Sequence, residues 1–444
     1  MATQQDSANN SDAEKRGGQP DPAPPNGTDT TELAAVAPKA PEEPVDGGTA
    51  AWLTLLGAWC CSFCSPGWIN SVGSFQEYYA NGPLDNYSSS TIAWIPSLQV
   101  FFLFGLGPIV GRLYDLYGPK PLLIGGSLLH VFGLMMASLA RTYYQFLLTQ
   151  GVVSAIGVAC LYSPALAVIS TWFVQKRGLA MGIMATGSSV GGVIFPIMIS
   201  RMIRYNGYGW ALRTAGFLIL GLQIVAILTV RPRVKPVPRP MAFKRFLAPF
   251  SEFNFVLLLA GIFLLTFGIY IPLIFLALQA LEQANVSTEM ANYLIAILNA
   301  ASLFGRLLAG IGADKIGRWN MFIIACALSG VSTLAIWIPA DTEAIAIGFA
   351  VTFGFASGAF VSLVGALPIS VSPPPEIGYR MGVVFLVISL PALTMAPTGG
   401  AIIESSSTGW RDVKIFAGVM AIAGSAVTLL SRWFYTDKKL IKAF

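Results

Sequence analysis

The sequence predicts an all-α membrane protein with twelve transmembrane helices in two six-helix pseudo-repeats. Three observations point there. Of the 444 residues, 55% are apolar and only 11% charged, with a mean hydropathy of +0.66, whereas soluble domains carry roughly 25% charged residues. Apolar runs long enough to cross a bilayer recur along the chain, since ~20 helical residues span a ~30 Å hydrocarbon core. Chemical landmarks of the first half also return in the second about 200 residues later.

The chain does not begin as a membrane segment. Residues 1–45 are rich in Pro, Asp, Asn, Ser and Thr, with eight acidic and three basic side chains. So little bulky apolar surface cannot offset the entropy of ordering, and a disordered tail is expected. The basic-then-apolar pattern of a cleavable signal peptide is missing there.

Apolar windows between Gly, Pro and charged breaks place the spans near 51–74, 90–111, 121–140, 143–171, 178–200, 209–230, 254–278, 289–311, 319–339, 343–369, 379–403 and 412–434. The basic, Pro-rich stretch RPRVKPVPRPMAFKRF (231–246) divides six from six. The expected organisation is a tail (1–45), a first half (46–230), a basic linker (231–251), a second half (252–435) and a C-terminal tail (436–444).

Positive charge orients these spans. With both tails cytoplasmic, the cytoplasmic loops and C-terminal tail collect 18 Lys and Arg against six on the other side. The plasma membrane is the expected location. Asn86 and Asn285 begin Asn-X-Ser sequons in the predicted outside loops, where glycosylation is expected. Cys61 and Cys64 have CxxC spacing, but no second pair completes a zinc site. No metal or cofactor is implied, and no nucleic-acid partner.

GRLYDLYGPK (111–120) sets three charges between two apolar runs, and GIGADKIGR (310–318) does the same in the second half. Asp115 and Asp314 lie 199 residues apart, each followed by Gly and then a cation. Gly182 and Gly382 are 200 apart, as are Gly209-Trp210 and Gly409-Trp410. Repeated halves of this kind are a mark of secondary transporters, with substrate held between them near the midplane.

At these residues the chain resembles the major facilitator superfamily, whose loop between helices 2 and 3 has the form G-x-x-x-D-x-x-G-x-[K/R]. The resemblance implies that Asp115, supported by Arg112 and Lys120, latches the cytoplasmic side. It implies the same for Asp314 with Lys315 and Arg318. A carboxylate at a helix N-terminus is a physically sound partner for such a latch.

TWFVQKRGLAMGIMATGSSVGGVIFP (171–196), with Lys176 and Arg177, resembles the signature of the monocarboxylate-transporter-like branch. DGGTAAW (46–52), with Asp46, Gly47, Gly48 and Trp52, resembles that branch's opening to helix 1 in its fungal members. The drug:proton antiporter branch fits less well, because Leu147 stands where its Arg precedes Gln150-Gly151. Animal monocarboxylate transporters place a Lys in helix 1 and an Asp–Arg pair in helix 8. Here Ile69 and Asn70 stand at the first place, and Ser302 replaces the Asp while Arg306 is kept. Such a cation suits an anionic substrate group.

Arg306 is therefore the leading substrate-binding candidate, as anion anchor or as part of the latch. Asn299 and Ser302 lie one turn apart on its helix, Asn70 is on helix 1, and Tyr270 precedes Pro272 on helix 7. Each is equally a packing residue on sequence alone. His130, the only histidine, is the candidate for proton coupling. GSSVG (187–191) matches a hydrolase elbow, yet it lies in an apolar helix and the sole His comes earlier. An enzyme is not expected. The reading is a secondary transporter of a small organic acid or acidic secondary metabolite, as an efflux protein. Its partners are that anionic small molecule, the lipid bilayer and, as an open question, protons. The alternatives are a monocarboxylate or nutrient importer and a non-transporting membrane sensor.

Overall fold

The computed structural model describes residues 46–71, 75, 78–80, 82–233, 243–284, 286–405 and 407–439. The N-terminal tail and Asn285 lie outside them. All regular structure in the described residues is helical. Eleven helices are long and apolar enough to cross a membrane, and a shorter one precedes them. We number them α1 (Thr49–Cys64), α2 (Trp94–Tyr117), α3 (Pro119–Ala137), α4 (Tyr143–Trp172), α5 (Arg177–Asn206), α6 (Tyr208–Thr229), α7 (Phe253–Gln283), α8 (Thr288–Ile316), α9 (Arg318–Trp337), α10 (Glu343–Leu363), α11 (Pro374–Ser405) and α12 (Gly409–Tyr435).

The helices depart from the expected spans in informative places. The first span, expected as continuous over 51–74, breaks at Ser65 and resumes as Pro66–Ile69. Pro66 removes a backbone donor, and the Ser65 hydroxyl turns back to the Cys61 carbonyl. The tenth stops at Leu363, with a separate turn at Ala366–Ser370. The linker holds a short helix, Phe243–Ser251. Most notably, GRLYDLYGPK is not a loop. The α2 helix runs through Asp115 to Tyr117, and the connection to α3 is Gly118 alone, at φ 76°. Gly317, at φ 98°, does the same between α8 and α9. Only glycine adopts that backbone without cost.

Packing follows the repeat. Within the halves, α1 packs on α5 and α6, and α7 on α12, as α8 does on α10. Between the halves the main contacts are α5 with α8 and α2 with α11. Glycines let those backbones approach. A Cβ on Gly107 would lie 2.5 Å from the Gly382 carbonyl, and one on Gly178 would lie 2.6 Å from that of Gly310. At the Asp115 end the halves share one apolar core, in which Leu103, Phe104 and Tyr162 meet Val384, Phe385 and Ile388. At the other end that core divides into one cluster per half, around Trp68 and Tyr208 and around Phe275 and Trp337. A cavity opens where they part.

Candidate functional site

The cavity has a volume of about 490 Å³ and is lined from both halves. From the first half come the α1 break, the start of α2 and Ser188 of α5, and from the second come α7, α8, α10 and α11. The five residues singled out in the sequence, Asn70, Tyr270, Asn299, Ser302 and Arg306, all line it. Much of the rest is apolar, including Leu103, Phe104, Phe275 and Met395.

Arg306 is the only charged side chain among the described lining residues. It is 5% exposed. Its Nε donates to Ser302 Oγ at 3.1 Å, and Nη1 donates to the Ala185 carbonyl at 2.5 Å and to Ser188 Oγ. All three acceptors are neutral, and no carboxylate among the described residues forms an ion pair with it. The hydrogen bonds seen among the described residues engage Nε and Nη1. A guanidinium so held is pre-organised for a planar anion.

The polar groups beside it converge across the halves. Asn70 Nδ2 donates to the Pro66 carbonyl at 3.1 Å, and Asn299 Nδ2 to that of Ile295 at 3.0 Å. Both approach Gly192 of α5, where an added Cβ would lie 2.8 Å from Asn70 Nδ2 and 3.0 Å from Asn299 Oδ1. The Tyr270 ring meets Phe360 edge-on at 6.2 Å. Sequence reasoning missed Gly192, and it gave Ser188 of GSSVG no role. Gly187 and Gly191 do pack on α1, but Ser188 of that stretch holds Arg306.

Below the cavity each half places an acid on the other's helix start. Asp115 accepts from the backbone N–H groups of Gly378 and Tyr379 at 3.0 and 2.9 Å. Asp314 accepts from those of Gly178 and Leu179 at 2.7 and 2.8 Å. Gly178 and Leu179 lie in the first turn of α5, and Gly378 and Tyr379 in the first α-helical turn of α11, which starts at Ile377 after a 3-10 turn; helices leave such amides without an internal partner. The cations behave differently from one another. Arg318 donates to the Val174 carbonyl across the halves, and Arg112 acts on Asp115 through its charge. Lys120 and Lys315 are exposed. A third support was not foreseen. Arg380 binds Glu252, at the start of α7, at 2.7 and 2.6 Å and Glu376 at 3.2 Å, while the Tyr379 hydroxyl donates to the Phe246 carbonyl of the linker at 2.7 Å.

The two signature stretches meet at this end. Asp46 accepts from the N–H groups of Val174, Gln175 and Lys176 at 2.7, 3.0 and 3.0 Å. Burial raises its carboxyl, but those three donors and the nearby Lys176 charge outweigh it and hold it below the usual carboxylate range. Gly47 and Gly48 carry the chain into α1, Gly48 at φ 91°. Trp52 meets Phe173 edge-on at 5.6 Å, and Arg177 Nε donates to the Phe173 carbonyl at 3.0 Å.

His130 stands apart from the cavity lining. It is fully buried within the first half, with Nδ1 at 2.9 Å from Ser154 Oγ and Nε2 at 3.1 Å from the Cys64 carbonyl. Cys61 and Cys64 are buried and free. Asn86 is exposed, its Nδ2 donating to Asp85.

Comparison with known proteins places this geometry in a lineage. The chain is 71% identical over 412 residues to the fujikurins efflux protein of Gibberella fujikuroi, covering 93% of this chain and 89% of that one. It is 51% identical to the MFS transporter asaE of Aspergillus flavus, covering 90% and 91%. Among solved structures, the human organic anion transporter MFSD10 (TETRAN) superposes with a TM-score of 0.68 at 14% identity, over 85% of this chain and 98% of that one. At that identity the likeness speaks for the fold alone. The Major Facilitator Superfamily profile matches residues 49–367 and 258–444. Spanning helices, paired halves and a cavity between them are thus those of a multi-pass membrane transporter of small molecules, and the chain belongs to the Major Facilitator Superfamily.

Proposed function

We propose that this transporter exports an acidic secondary metabolite by alternating access, with Arg306 anchoring the substrate's anionic group. One observation carries the reading: the sole charged side chain among the described cavity residues is a buried guanidinium with only neutral partners. A buried cation is costly unless it has work to do. Asn70, Asn299, Ser302 and Tyr270 supply hydrogen bonds to the body of the substrate, and the apolar walls take its hydrocarbon. Export, rather than uptake of a monocarboxylate or nutrient, is supported by the name of the 71% identical fujikurins efflux protein.

In this reading the halves 46–230 and 252–435 rock about the α2–α11 and α5–α8 contacts. Both tails are cytoplasmic, the membrane is the plasma membrane, and Asn86 is open to glycosylation outside. Asp115 with Arg112, and Asp314 with Arg318, latch the cytoplasmic end, so this is the outward-facing state. Lys120 and Lys315 serve the charge of that surface. The contact between Asp46 and the 174–176 amides supports placement in the fungal monocarboxylate-transporter-like branch.

The test measures export and uptake of radiolabelled aromatic and aliphatic carboxylates and naphthalenesulfonate in cells carrying wild type or Arg306→Gln. Export of an acid that the variant loses supports the reading. Equal export by both, at equal surface abundance, removes Arg306 from binding and the anionic substrate with it.

A further inference from the structure

The charge on Arg306 has a consequence for the half of the cycle in which no substrate is bound. Alternating access requires a moment when both ends are closed around the central cavity. With an organic anion beside Arg306 that enclosed site is neutral. Without one, it holds a lone cation.

Nothing in the described lining removes that charge. The guanidinium does not lose its proton in proteins, so it has no neutral form to adopt on the return step, unlike a lysine, histidine or carboxylate. Its partners Ser302, Ser188 and the Ala185 carbonyl are dipoles and carry no negative charge. No Asp, Glu or His is among the described residues of the cavity. His130 lies elsewhere in the first half, against Ser154 and Cys64. The matching place in the repeat offers no counter-charge either. Arg306 and Gly107 are 199 residues apart, and they face Gly182 and Gly382 respectively. Enclosing an ion away from water without a partner is heavily opposed.

We propose that the protein is an anion exchanger. The outward step carries the organic acid, and the empty transporter returns only when a second anion, taken from outside, neutralises Arg306. This rests on the anionic reading of the cavity and adds the regulation of its return step. The exported acid leaves as its anion, and the charge balance is kept by the anion that enters, with no proton site on the protein required.

The experiment uses the full chain in liposomes loaded with radiolabelled naphthalenesulfonate, which stays ionised and does not leak as a neutral acid. The membrane potential is clamped with potassium and valinomycin. The outer medium holds either impermeant dextran sulfate alone or added unlabelled naphthalenesulfonate, with chloride as a third arm. The expected result is efflux accelerated roughly tenfold or more by the external permeant anion, an acceleration that Arg306→Gln abolishes. Equal efflux with and without an external permeant anion overturns exchange while leaving the anionic substrate in place. If the label moves in none of the arms, the anionic reading falls and exchange with it.

Discussion

Gly107 of α2 and Arg306 of α8 occupy matching places 199 residues apart, each packed on the glycine of the facing helix, Gly382 or Gly182. A Cβ on Gly182 would lie 2.6 Å from the Arg306 carbonyl, and one on Gly107 would lie 2.5 Å from that of Gly382. The two close approaches are built alike in their backbones, but one of the matched places carries a guanidinium and the other no side chain. That guanidinium is the only charge among the described cavity residues.

Replacing Arg306 tests that asymmetry directly. Truncating one member of a buried, hydrogen-bonded charge pair costs about 2–5 kcal/mol. Arg306→Gln is therefore expected to weaken binding of the transported acid by roughly 30-fold or more. Arg306→Lys keeps the charge but loses the fork that reaches Ser302, Ala185 and Ser188 together. It should recover part of the affinity. Titration of the acid against purified protein measures both.

The close glycine contacts make a separate prediction about conformation. Gly182→Ala and Gly382→Ala each put a methyl into the backbone of the opposing helix. Alanine is the better helix former by about 1 kcal/mol, so the helices themselves persist. The latched state should lose population instead. Distances between spin labels placed at the ends of α2 and α11 would lengthen in the variants. Unchanged distances would show that the helices tolerate the methyl in place.

The acids at the same end give a graded version. Asp115 and Asp314 each accept two backbone N–H bonds across the halves, and a hydrogen bond to a charged group contributes about 1.5–3 kcal/mol. Asp115→Asn and Asp314→Asn each keep one acceptor and lose the charge. Each should shift the same label distances, and the double variant should shift them further.

Asp46 predicts a pH effect. Its carboxyl is held below the ordinary value of 3.8 by three N–H donors, against the opposing effect of burial. A depressed acid stabilises the folded state fully above its unfolded value and ceases to do so as pH falls through the lower, folded one. Wild type and Asp46→Ala should therefore differ in melting temperature near neutrality and converge as pH falls below about 4. A difference that persists in acid would assign the stabilisation to something other than the carboxylate.

His130 gives the contrasting case. Both ring nitrogens are engaged, by Ser154 and by the Cys64 carbonyl, and removing the ring strands two buried groups at about 1–3 kcal/mol each. His130→Ala is expected to lower the melting temperature while leaving the pH profile of transport unchanged. A flattened profile would identify His130 as the proton-coupling residue.

Much of this architecture can be read from the chain because a bilayer imposes one simple rule on helix length and polarity. The repeat is legible for a similar reason: an acid in an apolar stretch is conspicuous, and Asp115 and Asp314 recur at nearly the same offset as Gly182 and Gly382 and the two Gly-Trp pairs. The five cavity residues were legible as polar groups in apolar spans. Their partners were not. Asp115 finds backbone amides, which have no letter in the sequence, and Ser188 resembles any small packing residue until Arg306 is seen beside it. The break at Ser65 and the single-glycine turns at Gly118 and Gly317 depend on local backbone geometry that apolar windows average away.

The α2–α11 and α5–α8 contacts are two copies of one interface, related as the two patches of a twofold homodimer would be. Each half gives an acid and receives one. A chain severed between residues 233 and 243 would still present, on each fragment, both the donor and the acceptor surface needed to find the other. Coexpressed fragments should then assemble without a covalent tether.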